Sequence, residues 1–361
     1  MTLVSAENLA RSLFRRMSEA KDRRRRRRLE IQVSNEKTST PIVYFLTPDH
    51  PEPSGGIRVI YRHVDILNAA GISAFVLHHR PGFRCEWFEH ETRVTDIASA
   101  TLRGGDLLVV PEVDIDLLLQ LPRGTRHVIF NQNSHLTWKR PVHQVARLYA
   151  ANPGLAGIIT VSRHNQEMLG WAFGETLIRR VHLGIDPALF HPGSEPSGQR
   201  IAYMPRRGRE DARQVLEMLE ARGILDGWEV VPLDRLTHSQ VADRLRTTRV
   251  FLAFTHQEGF GLPPAEAMAC GNYVIGNHGF AGREFFRPEF SAPIESGDIL
   301  GFASAVEKAI LAERHQPGWC RDRGLEASRF VLSEYSPARE REDVTNIYSE
   351  LLLKDAAVER V

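Results

Sequence analysis

Two carboxylates, Glu258 and Glu266, bracket a turn made of Gly259, Phe260, Gly261 and Leu262 in the stretch "HQEGFGLPPAEAMACG" (256–271). The apolar run "VFLAF" (250–254) leads into it as a buried strand, and the prolines after the turn open a helix that Gly271 closes. A strand, a glycine-rich turn and a helix in that order present free backbone N–H groups and a helix dipole to an anion such as a phosphate. Glycine lets the backbone come close to that ligand. Carboxylates beside a phosphate would repel it, so Glu258 and Glu266 fit better as acceptors of hydroxyl hydrogen bonds. A sugar on one side and a ribose on the other would supply such hydroxyls.

The elements that must position this unit follow a regular alternation. "PIVYFLTP" (41–48), "ISAFVLHH" (72–79), "DLLVVPE" (106–112), "RHVIFNQN" (126–133) and "AGIITVS" (156–162) read as strands. Between the first two, "RVIYRHVDILNAAG" (58–71) reads as a helix with Val59, Ile60, Val64 and Leu67 on one face. "HPGSEPSGQR" (191–200) breaks the pattern and is the best linker. Strands then resume at 201–205, 228–233, 249–254, 272–277 and 291–294, with a helix over 211–223 and a last helix over 337–355. Alternation of this kind predicts two doubly wound α/β domains with parallel sheets. The expected division is a basic extension over 1–40, a first Rossmann-like domain over 41–195, a second over 196–336, and a terminal helix over 337–361 that packs back on the first domain. Ligands then bind at the carboxyl ends of the strands, in the cleft between the domains.

The string "EGFGLPPAEAMACG" resembles the E-x7-E segment of the retaining GT-B glycosyltransferases of the group-1 type, which use sugar nucleotides. The order of elements over 41–355 agrees with that family. The resemblance implies two Rossmann-like domains facing each other across a cleft. It places Glu258 at the transferred sugar and Glu266 at the ribose, with the backbone of Gly259, Phe260, Gly261 and Leu262 at sugar and phosphate oxygens. The family's glycine-rich loop after the first strand falls on Gly55 and Gly56. Its diphosphate-neutralising arginine falls on Arg206 or Arg207, and the lysine that follows in the family is replaced by Arg209. Many members carry a histidine after a first-domain strand. Here Asn131, Gln132 and Asn133 open that loop and His135 comes later, so these four are candidate sugar contacts. The implied reaction is transfer of a sugar from a nucleoside diphosphate to an acceptor hydroxyl with retained configuration, in the synthesis of a surface glycan or polysaccharide. No metal or other cofactor is expected.

Bulk properties bound the rest. The chain has 361 residues, 42% hydrophobic and 25% charged, with a formal net charge of +1. That is a globular composition and no general polyanion binder. Three separated cysteines, Cys85, Cys270 and Cys320, suit a reducing compartment rather than a disulfide framework. No apolar run is long enough to span a membrane and no secretory leader is expected, so the expected location is cytoplasmic. "KDRRRRRRLE" (21–30) follows apolar residues at helical spacing, and residues 1–30 could lie on an anionic membrane surface or form a solvated tail. No nucleic-acid recognition motif accompanies the arginine run. Two other readings stay open. "DID" (114–116) could hold a divalent metal, although Asp114 also suits a helix cap. The whole protein could be a catalytically silent sugar-nucleotide-binding scaffold of the same fold.

Overall fold

The computed structural model describes residues 31–139, 142–150, 153–174, 178–194 and 198–358. The expected membrane-binding or solvated segment, 1–30, lies outside the described residues. The fold class expected from the alternation is the one observed: α/β, with two parallel sheets in two Rossmann-like lobes.

The first lobe holds a seven-stranded sheet in the order β4-β3-β2-β6-β7-β8-β9. These strands are β2 (Val43–Thr47), β3 (Ala74–His78), β4 (Val94–Asp96), β6 (Leu107–Pro111), β7 (His127–Asn131), β8 (Leu155–Thr160) and β9 (Ile178–Arg180). Strands β2, β6 and β7 are buried at every position, which is why they read as unbroken apolar runs. The three-residue edge strands β4 and β9 were not foreseen. The segment assigned to the extension contributes β1 (Gln32–Lys37), which pairs in parallel with β5 (Thr101–Gly104) as a separate two-stranded sheet. It is a polar segment added at the margin of the lobe, so it carries no core pattern.

The second lobe holds β10 (Arg200–Tyr203), β11 (Glu229–Pro232), β12 (Val250–Ala253), β13 (Tyr273–Asn277) and β14 (Ser291–Ile294) in the order β11-β10-β12-β13-β14. The helices in chain order are α1 (Gly55–Ala69), α2 (Ser134–Thr137), α3 (Val142–Ala150), α4 (Arg163–Phe173), α5 (Arg209–Ala221), α6 (His238–Arg246), α7 (Leu262–Ala269), α8 (Ile299–His315), α9 (Trp319–Glu334) and α10 (Pro337–Val358). In the second lobe Phe254 and Phe302 stack with centroids 4.5 Å apart, tying the end of β12 to α8.

Helix α10 crosses back onto the first lobe. Its fully buried Tyr348 lies 5.3 Å from the ring of Phe45 in β2. Its carboxylates take up two arginines and a histidine of the first lobe: Glu340 pairs with Arg62 at 2.7 Å, Asp343 contacts His182 Nδ1 at 2.7 Å, and Glu350 pairs with Arg179 at 2.8 Å. One continuous apolar cluster therefore runs from Phe45 and Val64 through Tyr348 and Tyr335 to Phe260 and Phe285.

Both sheets reverse their winding direction beside the cleft. In the first, β2 lies between β3 and β6; in the second, β10 lies between β11 and β12. Crevices of doubly wound sheets open at such points, at the carboxyl ends of the strands. The loops there are those after β2, β6, β10 and β12. These loops and the helix starts that follow them carry Gly55 and Gly56, Glu112, Arg206 to Arg209, and Glu258 to Gly261.

Candidate active site

The turn after β12 runs into the cleft and touches the first lobe. Glu258 is anchored by its own backbone: its N–H donates to the carbonyl of Gly279 at 3.0 Å, and it forms a parallel bridge with Phe280. Phe280 has φ 67°, a conformation few residues other than glycine adopt, and an aromatic residue held there stores strain. The Glu258 carboxylate is mostly covered and forms an ion pair with the Arg207 guanidinium, in hydrogen-bond contact.

Gly259 lies against the first lobe: a Cβ there would sit 1.6 Å from the carbonyl oxygen of Gln132. Its own carbonyl accepts from the Asn165 side chain at 3.1 Å. Phe260 points away from the cleft. Its ring is buried against Tyr335 at 5.0 Å and Phe285 at 5.4 Å, so only its backbone faces a ligand. Gly261, with φ 98°, caps α7 in a left-handed conformation open to glycine, and Leu262 begins the helix. Glu266 is the fifth residue of α7, at the start of its second turn.

Glu266 is nearly completely buried and already has partners. Its Oε1 accepts from Arg58 Nη2 at 2.8 Å and lies 3.1 Å from His238 Nε2. Burial pushes this carboxyl up, but the Arg58 charge and the His238 hydrogen bond outweigh it and hold the group below the usual carboxylate range. Arg58 belongs to α1 of the first lobe and His238 to α6 of the second, so the contact bridges the cleft. Neither residue stood out in the sequence, because neither belongs to a local pattern.

The opposite wall is the start of α1. Gly55 and Gly56 are the first two helical residues, not a loop before the helix, and Ser54 is the N-cap. A Cβ on Gly55 would lie 3.0 Å from Leu262 Cδ1, so the glycine turn of one lobe faces the glutamate turn of the other. The carbonyl of Gly56 accepts from Gln132 Nε2 at 3.0 Å. Arg206 reaches over the same gap to the carbonyl of Pro53 at 3.1 Å. Arg209 is exposed at the start of α5. Arg206 and Arg207 thus stand at the mouth of the cleft, the second bound to Glu258.

Of the four candidate sugar contacts, Asn131 is excluded by its position. It is fully buried, and its amide donates to Thr137 Oγ1 at 2.7 Å and Tyr149 Oη at 2.8 Å. It is the last residue of β7, and its side chain turns into the interior of the first lobe. Gln132 stays at the cleft: its N–H donates to Glu112 at 3.2 Å and its side chain holds Gly56. Asn133 caps α2 through His135 N–H and donates to the carbonyl of Gln257 at 3.1 Å. His135 faces His164, with Nε2 atoms 3.1 Å apart, and both rings lie 5.4 Å from Phe280. Burial, reinforced by His135, Arg283 and His278, pushes His164 down to about 4. The pair is therefore neutral near pH 7, one ring donating and one accepting.

Two further groups complete the site. Asn165 sits at the floor, fully buried, and joins Ser134, Gln132 and Gly259 by hydrogen bonds of 2.7–3.2 Å. Glu112 directly follows β6, and burial raises its carboxyl to about 7. Asp114 lies at the start of the short helical turn Ile115–Leu119, but its side chain makes no capping hydrogen bond, so the capping account of "DID" does not hold. Among the described residues, no group of three histidine, cysteine, aspartate or glutamate side chains converges as a metal site.

Family models and curated proteins return no match to this sequence. Solved structures do. Sucrose-phosphate synthase from Thermosynechococcus elongatus superposes with a TM-score of 0.66 at 14% identity, covering 87% of this chain and 100% of that one. HepE of Anabaena, solved with UDP and glucose, gives a TM-score of 0.64 at 12% identity over 87% of this chain and 100% of its own. The lipopolysaccharide outer core galactosyltransferase WaaB gives 0.60 at 12% identity over 86% and 99%. At such identities the likeness is one of fold, and it spans both lobes: the chain has the GT-B architecture of these glycosyltransferases.

Proposed function

We propose that the protein is a glycosyltransferase that moves a sugar from a nucleoside diphosphate to an acceptor hydroxyl with retention of anomeric configuration, in the synthesis of a surface glycan or polysaccharide. One observation carries this reading. Glu258 and Glu266 stand on either side of the Gly259–Leu262 turn at the cleft, with Gly55 of the facing lobe against Leu262 and Arg206 and Arg207 at the mouth.

The chemistry follows from the charges. The leaving diphosphate gains negative charge as the glycosidic bond breaks, and arginine forks match its oxygens. Arg207 would exchange the Glu258 carboxylate for the diphosphate. Glu258, released, would accept a hydroxyl of the sugar and face the positive charge that grows near the anomeric carbon. The backbone N–H groups at the start of α7 would add to the same field. Attack from the face that the diphosphate leaves lets its oxygen take the acceptor proton, so no protein base is required. The close contact of Gly259 with Gln132 supports a cleft whose lobes would shield the activated sugar from water. The reaction so drawn uses no metal and no other cofactor. A lipid-linked or membrane-bound acceptor on the cytoplasmic side suits the basic residues 1–30.

A thermal-shift screen against nucleotide sugars tests the donor, through stabilisation of the native state by ligand. Transfer with the stabilising donor then tests the chemistry. Glu258→Ala should abolish transfer while the protein still melts cooperatively, and NMR of the product should show the donor's anomeric configuration. Binding without turnover across donors and acceptors would instead favour the silent scaffold, a reading supported by the present pairing of both glutamates with arginines.

A further inference from the structure

The contact between Arg58 and Glu266 has no counterpart in the local motif. Glu266 Oε1 receives two partners, Arg58 Nη2 at 2.8 Å from the first lobe and His238 Nε2 at 3.1 Å from the second. A carboxylate oxygen has two lone pairs, so these partners fill Oε1. Among the described residues no hydrogen bond reaches Oε2, which leaves it the two acceptor sites that two neighbouring hydroxyls of a ribose would fill. Both partners are themselves fixed. His238 opens α6 behind a Thr237–Gln240 capping box and packs edge-on against Phe190 at 4.8 Å. Arg58 is largely covered, and its Nε is buried with no hydrogen-bond partner, so Glu266 is what holds the guanidinium in place.

We propose that Arg58 is a positioning residue for the nucleotide ribose: reaching across the cleft, it turns Glu266 so that Oε2 receives the ribose hydroxyls, and it makes nucleotide affinity depend on the lobes being together. This rests on the glycosyltransferase reading above and names a determinant that the reading lacks. The physical basis is reciprocity. A nucleotide held by the second lobe gains affinity from a first-lobe residue, so its binding must in turn favour the closed arrangement. His238 serves the same orientation from within the second lobe. Its contribution survives lobe opening, whereas that of Arg58 does not.

Calorimetric titration of the full chain with UDP, GDP and ADP, and with the 2′-deoxy form of whichever binds, tests this. The wild type should prefer the ribonucleotide over its deoxy form. Arg58→Met should weaken the ribonucleotide by about tenfold or more, the scale of one charge-assisted hydrogen bond, and should erode the preference for ribose. Arg58→Lys should restore part of both. A merely structural role for Arg58 would lower both nucleotides alike, and that result overturns the proposal. So does an Arg58→Met protein with unchanged ribonucleotide affinity. Should Arg58→Met fail to fold, Arg58→Lys and His238→Gln carry the comparison, and an undiminished ribose preference in both would overturn it equally. If the wild type binds none of the three diphosphates, the glycosyltransferase reading fails and the proposal with it; if it binds one and Arg58 is indifferent, only the proposal fails.

Discussion

The Cα of Gly259 faces the carbonyl oxygen of Gln132 so closely that a Cβ on it would lie 1.6 Å from that oxygen and 2.9 Å from Asn133 Cα. The obstacle is backbone belonging to the other lobe, not the end of a flexible side chain. Gly259→Ala can be accommodated only if the lobes separate or the turn shifts, and over-packing of this kind costs about 1–3 kcal/mol. The expected outcome is a lower Tm together with a larger radius of gyration by small-angle X-ray scattering. Gly55→Ala makes the control. Its Cβ would meet the flexible tip of Leu262 at 3.0 Å, so its effect on dimensions should be small. Equal dimensions for the Gly259→Ala and wild-type proteins would show that the turn yields and the lobes do not.

Glu112 predicts a dependence on pH. Its carboxyl is buried at the end of β6, accepts the Gln132 N–H, and is pushed up to about 7 by desolvation. Unfolded, it titrates near 4.5. The folded state therefore holds this proton more tightly between those two values. Stability is fully present below the unfolded value and falls as pH rises toward the folded one. Replacing the carboxyl by an amide keeps the acceptor and removes the cost of a buried charge. Glu112→Gln should leave Tm nearly unchanged at pH 4.5 and raise it at pH 8, by an amount on the order of 2–3 kcal/mol in unfolding free energy. Denaturant melts at the two pH values measure this, and an equal shift at both would exclude the buried charge as its origin.

How much of this was legible in the sequence depends on the range of the interactions. The long buried strands of the first sheet and the central β12 and β13 of the second are legible because burial on both faces leaves an apolar run that needs no partner to be recognised, and the less buried β10, β11 and β14 are legible from their place in the alternation. Strands β4 and β9 are three residues long and carry no period. The Glu258–Glu266 turn was legible because its glycines, prolines and carboxylates are contiguous. Arg58, Asn165 and His238 act on that turn from 208, 94 and 28 residues away, and no local pattern marks them. Asn131 was misread for a related reason. It is the last residue of β7 rather than the first of the loop, and only the packing of Thr137 and Tyr149 shows that its amide turns inward.

Glu340 predicts how the two ends of the molecule are tied. It is 1% exposed, pairs with Arg62 at 2.7 Å, and lies 3.5 Å from Nε2 of the fully buried His63. Burial alone would raise its carboxyl, but Arg62 and His63 hold it below the usual range. The stability that Glu340 contributes is therefore present above the unfolded value of 4.5 and is lost as pH falls through the folded one. Glu340→Ala removes one partner of a largely buried pair and strands the other. Such losses cost about 3–5 kcal/mol when both partners are buried, and Arg62 is 30% exposed, so about 2–3 kcal/mol is expected. The effect should be uneven along the chain. Helix α10 loses a main polar tie to α1, so its amides should exchange with solvent faster in hydrogen-exchange mass spectrometry, while those of β12 and β13 stay protected. The difference between wild type and variant should shrink as pH falls below 4.5. Uniform loss of protection at pH 7 would instead mean that α10 and both lobes unfold as one unit.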